Sequence, residues 1–209
     1  MPFPKVAPIR LSRRSRPFDS PDFIYEIKFD GFRALAFVED GECRLVSRRN
    51  HVFRNFPELC ASIAEALKAE SAVLDGEIVC LDKTGRSVFN DLLHGRGECF
   101  FYAFDLLFMD GVELRCLPLI ERKALLKKLL RRRRSRILYL DHVEGDGVLL
   151  FEQIVKMDLE GIVCKRKDSP YKVTEKPSRY WIKVKNPRYS QAEGREELFD
   201  RGTISARVT

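Results

Sequence analysis

The sequence predicts an α+β domain built mainly from antiparallel sheets flanked by helices. Predicted strands outnumber predicted helices, and tight turns join several of the strands directly as hairpins. Asp40-Gly41 and Asp110-Gly111 are clear turn signals, because both residue pairs tolerate the positive φ angles that a tight hairpin requires. Hairpins need no long crossover connections, so a doubly wound α/β fold is not expected.

The strands are predicted from alternating apolar and polar residues. The first begins at Tyr25 and ends at Asp30, and Gly31 after it marks a turn or a bulge. Further strands are expected at residues 33–38, 43–47, 72–81, 100–108, 137–143, 161–165 and 180–185.

Three segments carry apolar residues at helical spacing, namely 56–69, 118–130 and 148–157. Pro118 opens the second helix, for which we expect an inner face of leucines: Leu125, Leu126, Leu129 and Leu130. The basic run 131–134 follows at its C-terminal end, where cations suit the helix dipole. This run is either a solvated helix end or a segment that binds duplex DNA, and the sequence leaves both interpretations open.

The composition excludes a wholly disordered chain and points to an acidic partner. Of 209 residues, 44% are hydrophobic, which is far too many for disorder. Lys and Arg outnumber Asp and Glu by 38 to 31, so the net charge is +7 and nucleic acid or a nucleotide is the first partner class to test. Neither a membrane span nor a signal peptide is recognisable, so we expect a cytoplasmic protein without a membrane partner.

Six cysteines occur without any CxxC pair, which makes a zinc site unexpected. We interpret them as buried thiols, although an even number permits disulfides. The chain is expected to form one domain over residues 1–187, with a basic lead-in at 1–17 and a polar, partly disordered tail at 188–209.

Lys28 is the first candidate for a catalytic residue. It lies in a predicted strand, with Asp30 and Gly31 shortly after it. A lysine is almost fully protonated at neutral pH, so it becomes a nucleophile only where burial or other cations ease the loss of its proton. Lys183 and Lys185 supply such cations, because side chains at i and i+2 share one face of a strand. Taken alone, each of these features also fits an ordinary solvent-facing strand.

Six motifs occur in a fixed order along the chain: KFDGFR at 28–33, SRRN at 47–50, DGE at 75–77, FDLL at 104–107, EGIVCK at 160–165 and WIKVK at 181–185. Together they resemble the ordered motifs of covalent nucleotidyltransferases, in particular the adenylation domain of ATP-dependent DNA ligases of the bacterial end-joining type. FDSPDFIYE at 18–26 is similar to the same group. The resemblance covers about residues 15–187 and implies the DNA ligase and mRNA-capping nucleotidyltransferase fold, which is ATP-grasp-like.

The resemblance implies a role for each matching residue. Lys28 would attack the α-phosphate of ATP to form a lysine–AMP intermediate, with Lys165, Lys183 and Lys185 around that phosphate. The nucleoside would be held by Glu26 and the Ile27 backbone at adenine, by Arg33 and Glu77 at the ribose, and by Phe104 stacked on the base. Arg33 and Arg48 would contact DNA, and Glu77 and Glu160 would hold Mg²⁺ or Mn²⁺. AMP would then pass to a DNA 5′-phosphate, and a 3′-hydroxyl would displace it to seal the nick.

The sequence departs from the family's pattern at its C-terminal end. Most such ligases continue into an OB-fold domain, which carries an Arg-bearing last motif that orients the pyrophosphate, and no residue after Lys185 resembles that motif. We expect nicked double-stranded DNA as the partner. The sequence leaves open whether a separate OB-fold protein or an end-joining repair protein is a second partner. Sealing of a pre-adenylated nick is expected to be faster than sealing with ATP.

Two other classes of function share these features. An RNA ligase or a capping-type nucleotidyltransferase uses the same lysine chemistry, although residues 104–111 and the lead-in at 18–26 favour a DNA ligase. A non-catalytic DNA-binding remnant is the third interpretation. The presence of all the reactive side chains argues against it: Lys28, Glu77, Glu160, Lys183 and Lys185.

Overall fold

The computed structural model describes residues 3–83, 85, 87–94, 97–131 and 135–192. Its elements in chain order are β1 (Leu11–Arg14), β2 (Phe23–Lys28), β3 (Phe32–Glu39), β4 (Glu42–Ser47), α1 (Pro57–Ala66), β5 (Ser71–Leu81), α2 (Phe89–His94), β6 (Glu98–Met109), β7 (Val112–Glu113), α3 (Leu119–Leu129), β8 (Ile137–Tyr139), β9 (Val143–Glu144), α4 (Gly147–Lys156), β10 (Gly161–Arg166) and β11 (Ser178–Lys185), followed by a 3-10 turn at Ser190–Ala192.

The strands form two sheets whose inner faces oppose each other. The first sheet has the order β1-β11-β10-β2-β9, and the second has the order β4-β3-β5-β6-β7 with β8 beside β6. Every pairing among these strands is antiparallel except β1 on β11 and β8 on β6. The predicted α+β class with mainly antiparallel sheets is therefore confirmed.

The two predicted hairpin turns are also confirmed. Asp40 and Gly41 have φ angles of 51° and 78°, and they join β3 to β4. Asp110 and Gly111 have φ angles of 48° and 84°, and they join β6 to β7. These positive values are the ones that a tight turn between twisted strands requires.

One predicted strand, at residues 137–143, is wrong as a single element. Its first part is β8, which pairs with β6 in the second sheet, whereas its end is β9, which pairs with β2 in the first sheet. Between the two, the Leu140 amide donates a hydrogen bond to the Ala103 carbonyl at 2.9 Å. The chain thus crosses from one sheet to the other here, and alternation alone could not show this crossing.

Hydrophobic side chains fill three layers. The largest cluster packs helix α1 and part of α3 against the outer face of the second sheet, with Leu59, Ile63 and Leu126 at its centre. A second cluster fills part of the space between the sheets, and a third lies under α4 on the outer face of the first sheet. The opposed inner faces are therefore only partly closed by apolar side chains, which leaves room for a site between them.

Helix α3 differs from the prediction in which side chains it buries. Of the predicted leucine face only Leu126 is buried, while Leu125, Leu129 and Leu130 pack partly against the core. The inward positions also hold Arg122 and Lys123, which are almost completely buried. Buried charges need partners. Arg122 has one in Asp105, with both N–O distances at 2.8 Å.

The prediction of buried thiols is confirmed for Cys164 and is wrong for the other cysteines described. Cys80 and Cys99 are directly opposite each other on β5 and β6 and are joined by a disulfide. Cys43 and Cys60 are half-buried, and Cys116 is exposed.

Two further observations concern the predicted surface. None of the described helices is long and apolar enough to cross a bilayer. Most of the basic run at 131–134 falls on residues 132–134, which lie outside the described residues, so its role stays open.

Candidate active site

A cavity of about 290 Å³ lies between the inner faces of the two sheets. All eleven residues that the sequence singles out for the site line this one cavity: Glu26, Ile27, Lys28, Arg33, Arg48, Glu77, Phe104, Glu160, Lys165, Lys183 and Lys185. Their roles stay predictions, but the structure brings all of them together from segments far apart in the chain.

Strand register explains why the cationic side chains meet. Trp181, Lys183 and Lys185 alternate toward the cavity along β11. On the neighbouring strands, Gly161 of β10 lies opposite Lys185 and also opposite Lys28 of β2. Gly161 has a φ of 150°, and a Cβ atom there would lie 2.2 Å from the Val184 carbonyl oxygen. Only glycine fits between the two lysines.

Glu160 joins the lysine that is predicted to be the nucleophile to a second lysine. Its Oε2 atom accepts a hydrogen bond from Lys28 Nζ at 2.5 Å, and its Oε1 atom lies 3.1 Å from Lys185 Nζ. Burial alone would raise the pKa of Glu160, but the two ammonium groups outweigh burial and hold the pKa below its usual value. Glu160 is therefore ionised at neutral pH and orients Lys28.

Glu77 and Lys183 complete the charged end of the cavity. Burial, with the negative charge of Glu160 adding to it, raises the pKa of Glu77 to about 7, against the opposing charges of Lys28 and Arg33. Burial, followed by the nearby charges of Lys28 and Lys185, lowers the pKa of Lys183. Each group is thus held in an environment that disfavours its charged form. A bound cation would favour the charged form of Glu77, and a bound phosphate would favour the charged form of Lys183.

The two carboxylates fit a divalent cation. Glu77 and Glu160 face one cavity and repel each other, so a cation between them would favour both ionised forms. Among the described residues, no group of three or more His, Cys, Asp or Glu could hold a metal ion by itself. Magnesium in nucleotide enzymes takes only one or two carboxylates, and water and phosphate oxygens supply the rest. This pair meets that requirement.

Arg33 is engaged by the protein itself. Its guanidinium makes two hydrogen bonds to Asp75, at 3.0 and 2.6 Å, and a third to the Ile9 carbonyl at 2.7 Å. Asp75 also accepts a hydrogen bond from the Tyr171 hydroxyl at 2.6 Å. Arg33 is the register partner of Glu77, which suits its predicted place at the ribose. Its predicted contact with DNA stays a prediction that this buried geometry does not favour.

Glu26 and Lys165 form a buried ion pair at the opposite end of the cavity. Their atoms are 2.6 Å apart, and Lys123 of α3 binds the other carboxylate oxygen of Glu26 at 2.5 Å. Burial would raise the pKa of Glu26, but the two lysines outweigh it and lower the pKa. Burial lowers the pKa of Lys165 to about 8, although Glu26 opposes that shift.

The Lys165 ammonium is enclosed by aromatic rings. It lies 3.9 Å from the ring centroid of Phe104 and 4.0 Å from that of Trp181, which is a cation–π geometry. The motifs predict Lys165 beside the α-phosphate with Lys183 and Lys185, but the structure places its ammonium against the ring predicted to stack on the base. Sequence reasoning also missed Lys123. The available signal was a charged pair, Arg122 and Lys123, inside an apolar helical stripe.

The segment after β11 folds back onto the site. The Tyr189 hydroxyl donates to Asp30 at 3.2 Å, and Asn186 donates to the Leu159 carbonyl at 3.0 Å. Asp30 lines the cavity two residues after Lys28. Tyr189, Ser190 and Gln191 are therefore held by hydrogen bonds to the rest of the chain, whereas 193–209 of the predicted tail lie outside the described residues.

Fold and site together define a nucleotidyltransferase-type catalytic domain, with a lysine nucleophile candidate between two sheets. Residues 10–185 match the profile of the ATP dependent DNA ligase domain. Because this match covers most of the chain, the chain belongs to that family, and the resemblance inferred from the six motifs is confirmed.

Curated relatives agree with this assignment. The SPbeta prophage-derived DNA ligase-like protein LigB of Bacillus subtilis (strain 168) is 30% identical over 193 residues, which cover 89% of this chain and 69% of LigB. The multifunctional non-homologous end joining protein LigD of Pseudomonas aeruginosa is 35% identical over 192 residues, or 88% of this chain and 22% of LigD. The chain thus spans about a fifth of that LigD.

Solved structures give the same result. The ligase domain of M. tuberculosis LigD superposes with a TM-score of 0.75 at 31% identity, covering 86% of this chain and 59% of that one. A mycobacterial DNA ligase D complexed with ATP and MES gives a TM-score of 0.73 at 29% identity, with 86% and 60% coverage. These matches confirm the predicted nucleotidyltransferase fold and the class of enzyme, an ATP-dependent DNA ligase catalytic domain.

Proposed function

We propose that this chain seals nicks in double-stranded DNA through a covalent lysine–AMP intermediate on Lys28. The observation that carries the proposal is that all the residues predicted for this chemistry line one cavity, with Lys28, Lys183 and Lys185 at one end of it. Because the chain spans only part of several relatives, its activity, DNA substrate and repair partners belong to this proposal.

In the first step Lys28 loses a proton and attacks the α-phosphate of ATP. The proton is released to water, while Glu160, which Lys28 and Lys185 hold in its ionised form, orients Nζ through their hydrogen bond at 2.5 Å. The N–P bond forms while the bond between the α-phosphorus and the bridging oxygen breaks, and pyrophosphate leaves. Lys183 and Lys185 offset the charge that develops on the phosphate oxygens.

The nucleoside would lie toward the aromatic end of the cavity. Phe104 offers a ring face for the base, and Ile27 lines the same wall with its backbone. Arg33 and Glu77 are neighbours across β3 and β5 and would bind the ribose. The Lys165 ammonium lies over one face of the Phe104 ring, so the base would either use the other face or take the place of this ammonium.

In the second and third steps the chemistry moves to DNA. An oxygen of the DNA 5′-phosphate attacks the phosphorus of the intermediate, the N–P bond breaks, and the Lys28 amine is released. A 3′-hydroxyl then attacks that 5′-phosphate, and AMP leaves as the strand is sealed. Arg48, which lines the cavity and is exposed, would bind the 5′-phosphate. Glu77 and Glu160 would hold Mg²⁺ or Mn²⁺, which shields the phosphate charges when bound.

The test is intact-mass spectrometry of the protein after incubation with ATP or GTP and magnesium. We expect the wild-type protein to gain the mass of one AMP with ATP and no adduct with GTP. Lys28→Ala should abolish the adduct, because the nucleophile is lost. Lys28→Arg should abolish it as well, because arginine keeps the charge but stays protonated at neutral pH.

The matched control is Lys128→Ala, which removes an exposed lysine of α3 that does not line the cavity. It should form the adduct at the wild-type rate. An adduct on Lys28→Ala would require a different nucleophile and would remove the proposal. An adduct formed with GTP in preference to ATP would favour a capping-type enzyme instead.

A further inference from the structure

Strand β1 extends the cationic face of the first sheet beyond β11. Arg13 is the register partner of Lys183, and it follows two residues after Leu11, which lines the cavity. Paired positions on adjacent strands share a face of the sheet, so Arg13 lies on the cavity side with Lys183. Arg14 lies on the opposite side, where its guanidinium is 4.4 Å from the ring centroid of Phe18.

Arg13 and Lys183 are cations at paired positions of adjacent strands. Lys28 and Lys185 share Glu160, whereas no ion pair involves Arg13 or Lys183 within the part of the chain that the structure describes. Adjacent strands lie about 4.8 Å apart, so two like charges at paired positions repel each other. An anion bound between them would remove this repulsion.

The segment that leads into β1 is anchored to the rest of the fold. The Ser178 amide donates to the Arg10 carbonyl at 2.7 Å, and the Arg33 guanidinium donates to the Ile9 carbonyl at the same distance. Ile9 is buried, and the Phe3 ring packs edge-on against Phe37. The position of Arg13 is therefore part of the fold, while its exposed side chain is free to reach a ligand.

We propose that Arg13 is a phosphate-binding residue at the outer edge of the site, where it acts with Lys183 on the phosphate next to the one that Lys28 attacks. The guanidinium suits this ligand, because its fork of donors binds two phosphate oxygens at once. The phosphate comes either from the β- and γ-phosphates of ATP or from the DNA strand, and the chemistry of recognition is the same. The assignment rests on the proposed function for the identity of these two ligands.

The experiment compares Arg13→Ala with its matched control, Arg14→Ala, on the opposite face of the same strand. Calorimetry measures the affinities of both variants and of the wild-type protein for ATP, for AMP and for a 5′-adenylated nicked duplex. Arg13→Ala should weaken the binding of ATP or of the nicked duplex by at least about tenfold, the size expected for a charge-assisted hydrogen-bond pair. Arg14→Ala should bind all three ligands as the wild-type protein does.

Comparison of the affinities for the three ligands identifies the source of the phosphate. A loss with ATP but not with AMP assigns the β- and γ-phosphates, and a loss with the duplex alone assigns the DNA backbone. Wild-type affinities for all ligands in Arg13→Ala, or an equal loss in Arg14→Ala, would overturn the assignment. A wild-type protein that binds these ligands but forms no AMP adduct would overturn the proposed function, while the affinities would still decide the role of Arg13.

Discussion

Glu77 is a residue whose charge state depends on what the cavity contains. Burial, reinforced by the neighbouring Glu160, raises its pKa to about 7 without any ligand present. Glu160 has the opposite shift, because Lys28 and Lys185 outweigh its burial. Two carboxylates in one cavity are thus held in different states, and binding of a cation would bring Glu77 into its charged form.

The raised pKa of Glu77 predicts that the free energy of unfolding depends on pH, and Glu77→Gln should remove the part of this dependence that comes from Glu77. The pKa of Glu77 is higher in the folded state, about 7, than its ordinary value of 4.5, so the folded state binds more protons between these values. Stability from this group is therefore complete below about pH 4.5 and is lost as the pH rises through 7. Relative to Glu77→Gln, the wild-type protein should lose about 1–3 kcal/mol of unfolding free energy between pH 5 and pH 8.

Urea denaturation of both proteins at pH 5 and pH 8, without divalent cations, checks this expectation. The subtraction isolates Glu77, since the other titrating groups are common to both proteins. A constant difference between the two proteins across this pH range would show that Glu77 keeps an ordinary pKa.

At the scale of the element, the close approach of β10 and β11 is what aligns the lysines. Gly161 lies between Lys28 and Lys185 in the register of three adjacent strands. Its φ of 150° is strained for other residues, and a Cβ atom would overlap the backbone of Val184 at 2.2 Å. Any side chain at this position must push β11 away from β10.

Gly161→Ala should therefore destabilise the protein and slow formation of the AMP adduct. The matched control is Gly145→Ala, because Gly145 has a φ of 81° but a Cβ atom added there would have no neighbouring atom within 4 Å. The control should lose only about 1 kcal/mol of unfolding free energy through its backbone conformation. Gly161→Ala should lose about 2 kcal/mol or more beyond the control, because it adds steric overlap to the backbone strain.

Chemical denaturation gives both free energies, and adduct formation under conditions where both variants are folded gives the functional effect. Equal losses in the two variants would mean that β11 adjusts without cost, and that Gly161 is not needed for the alignment of the lysines.

At the scale of the whole molecule, the sequence predicted the fold class, most strands and the set of residues that line the cavity. The strands and turns could be predicted because alternation and turn residues are local signals. The site residues could be predicted because the six motifs occur in the same order as in the family that they resemble. The long-range features were missed. Strand β1 has no alternating pattern of its own, and it becomes a strand by pairing with β11 about 170 residues later in the chain.

Pairing across the molecule also explains the features of the site that the motifs do not show. The motif predicts Lys165 among the phosphate lysines, a role that stays a prediction, and in the structure Glu26 and the Phe104 ring contact its ammonium. Lys123 comes from a helix that no motif covers, and only the three-dimensional structure shows that it neutralises Glu26. Charge partners of buried groups are a property of the fold rather than of local sequence.

The net charge of +7 and the cationic cavity mouth predict how the whole molecule binds DNA. Affinity for a nicked duplex should fall steeply with salt and hardly change with base sequence, because phosphate contacts release counterions and carry no sequence information. Arg48→Ala should lower the slope of log affinity against log salt by about 0.9, the value for one phosphate contact. Arg54→Ala, which removes an exposed arginine that does not line the cavity, should leave the slope unchanged. Binding titrations at several salt concentrations measure the slopes, and an unchanged slope in Arg48→Ala would place the 5′-phosphate away from this side of the cavity.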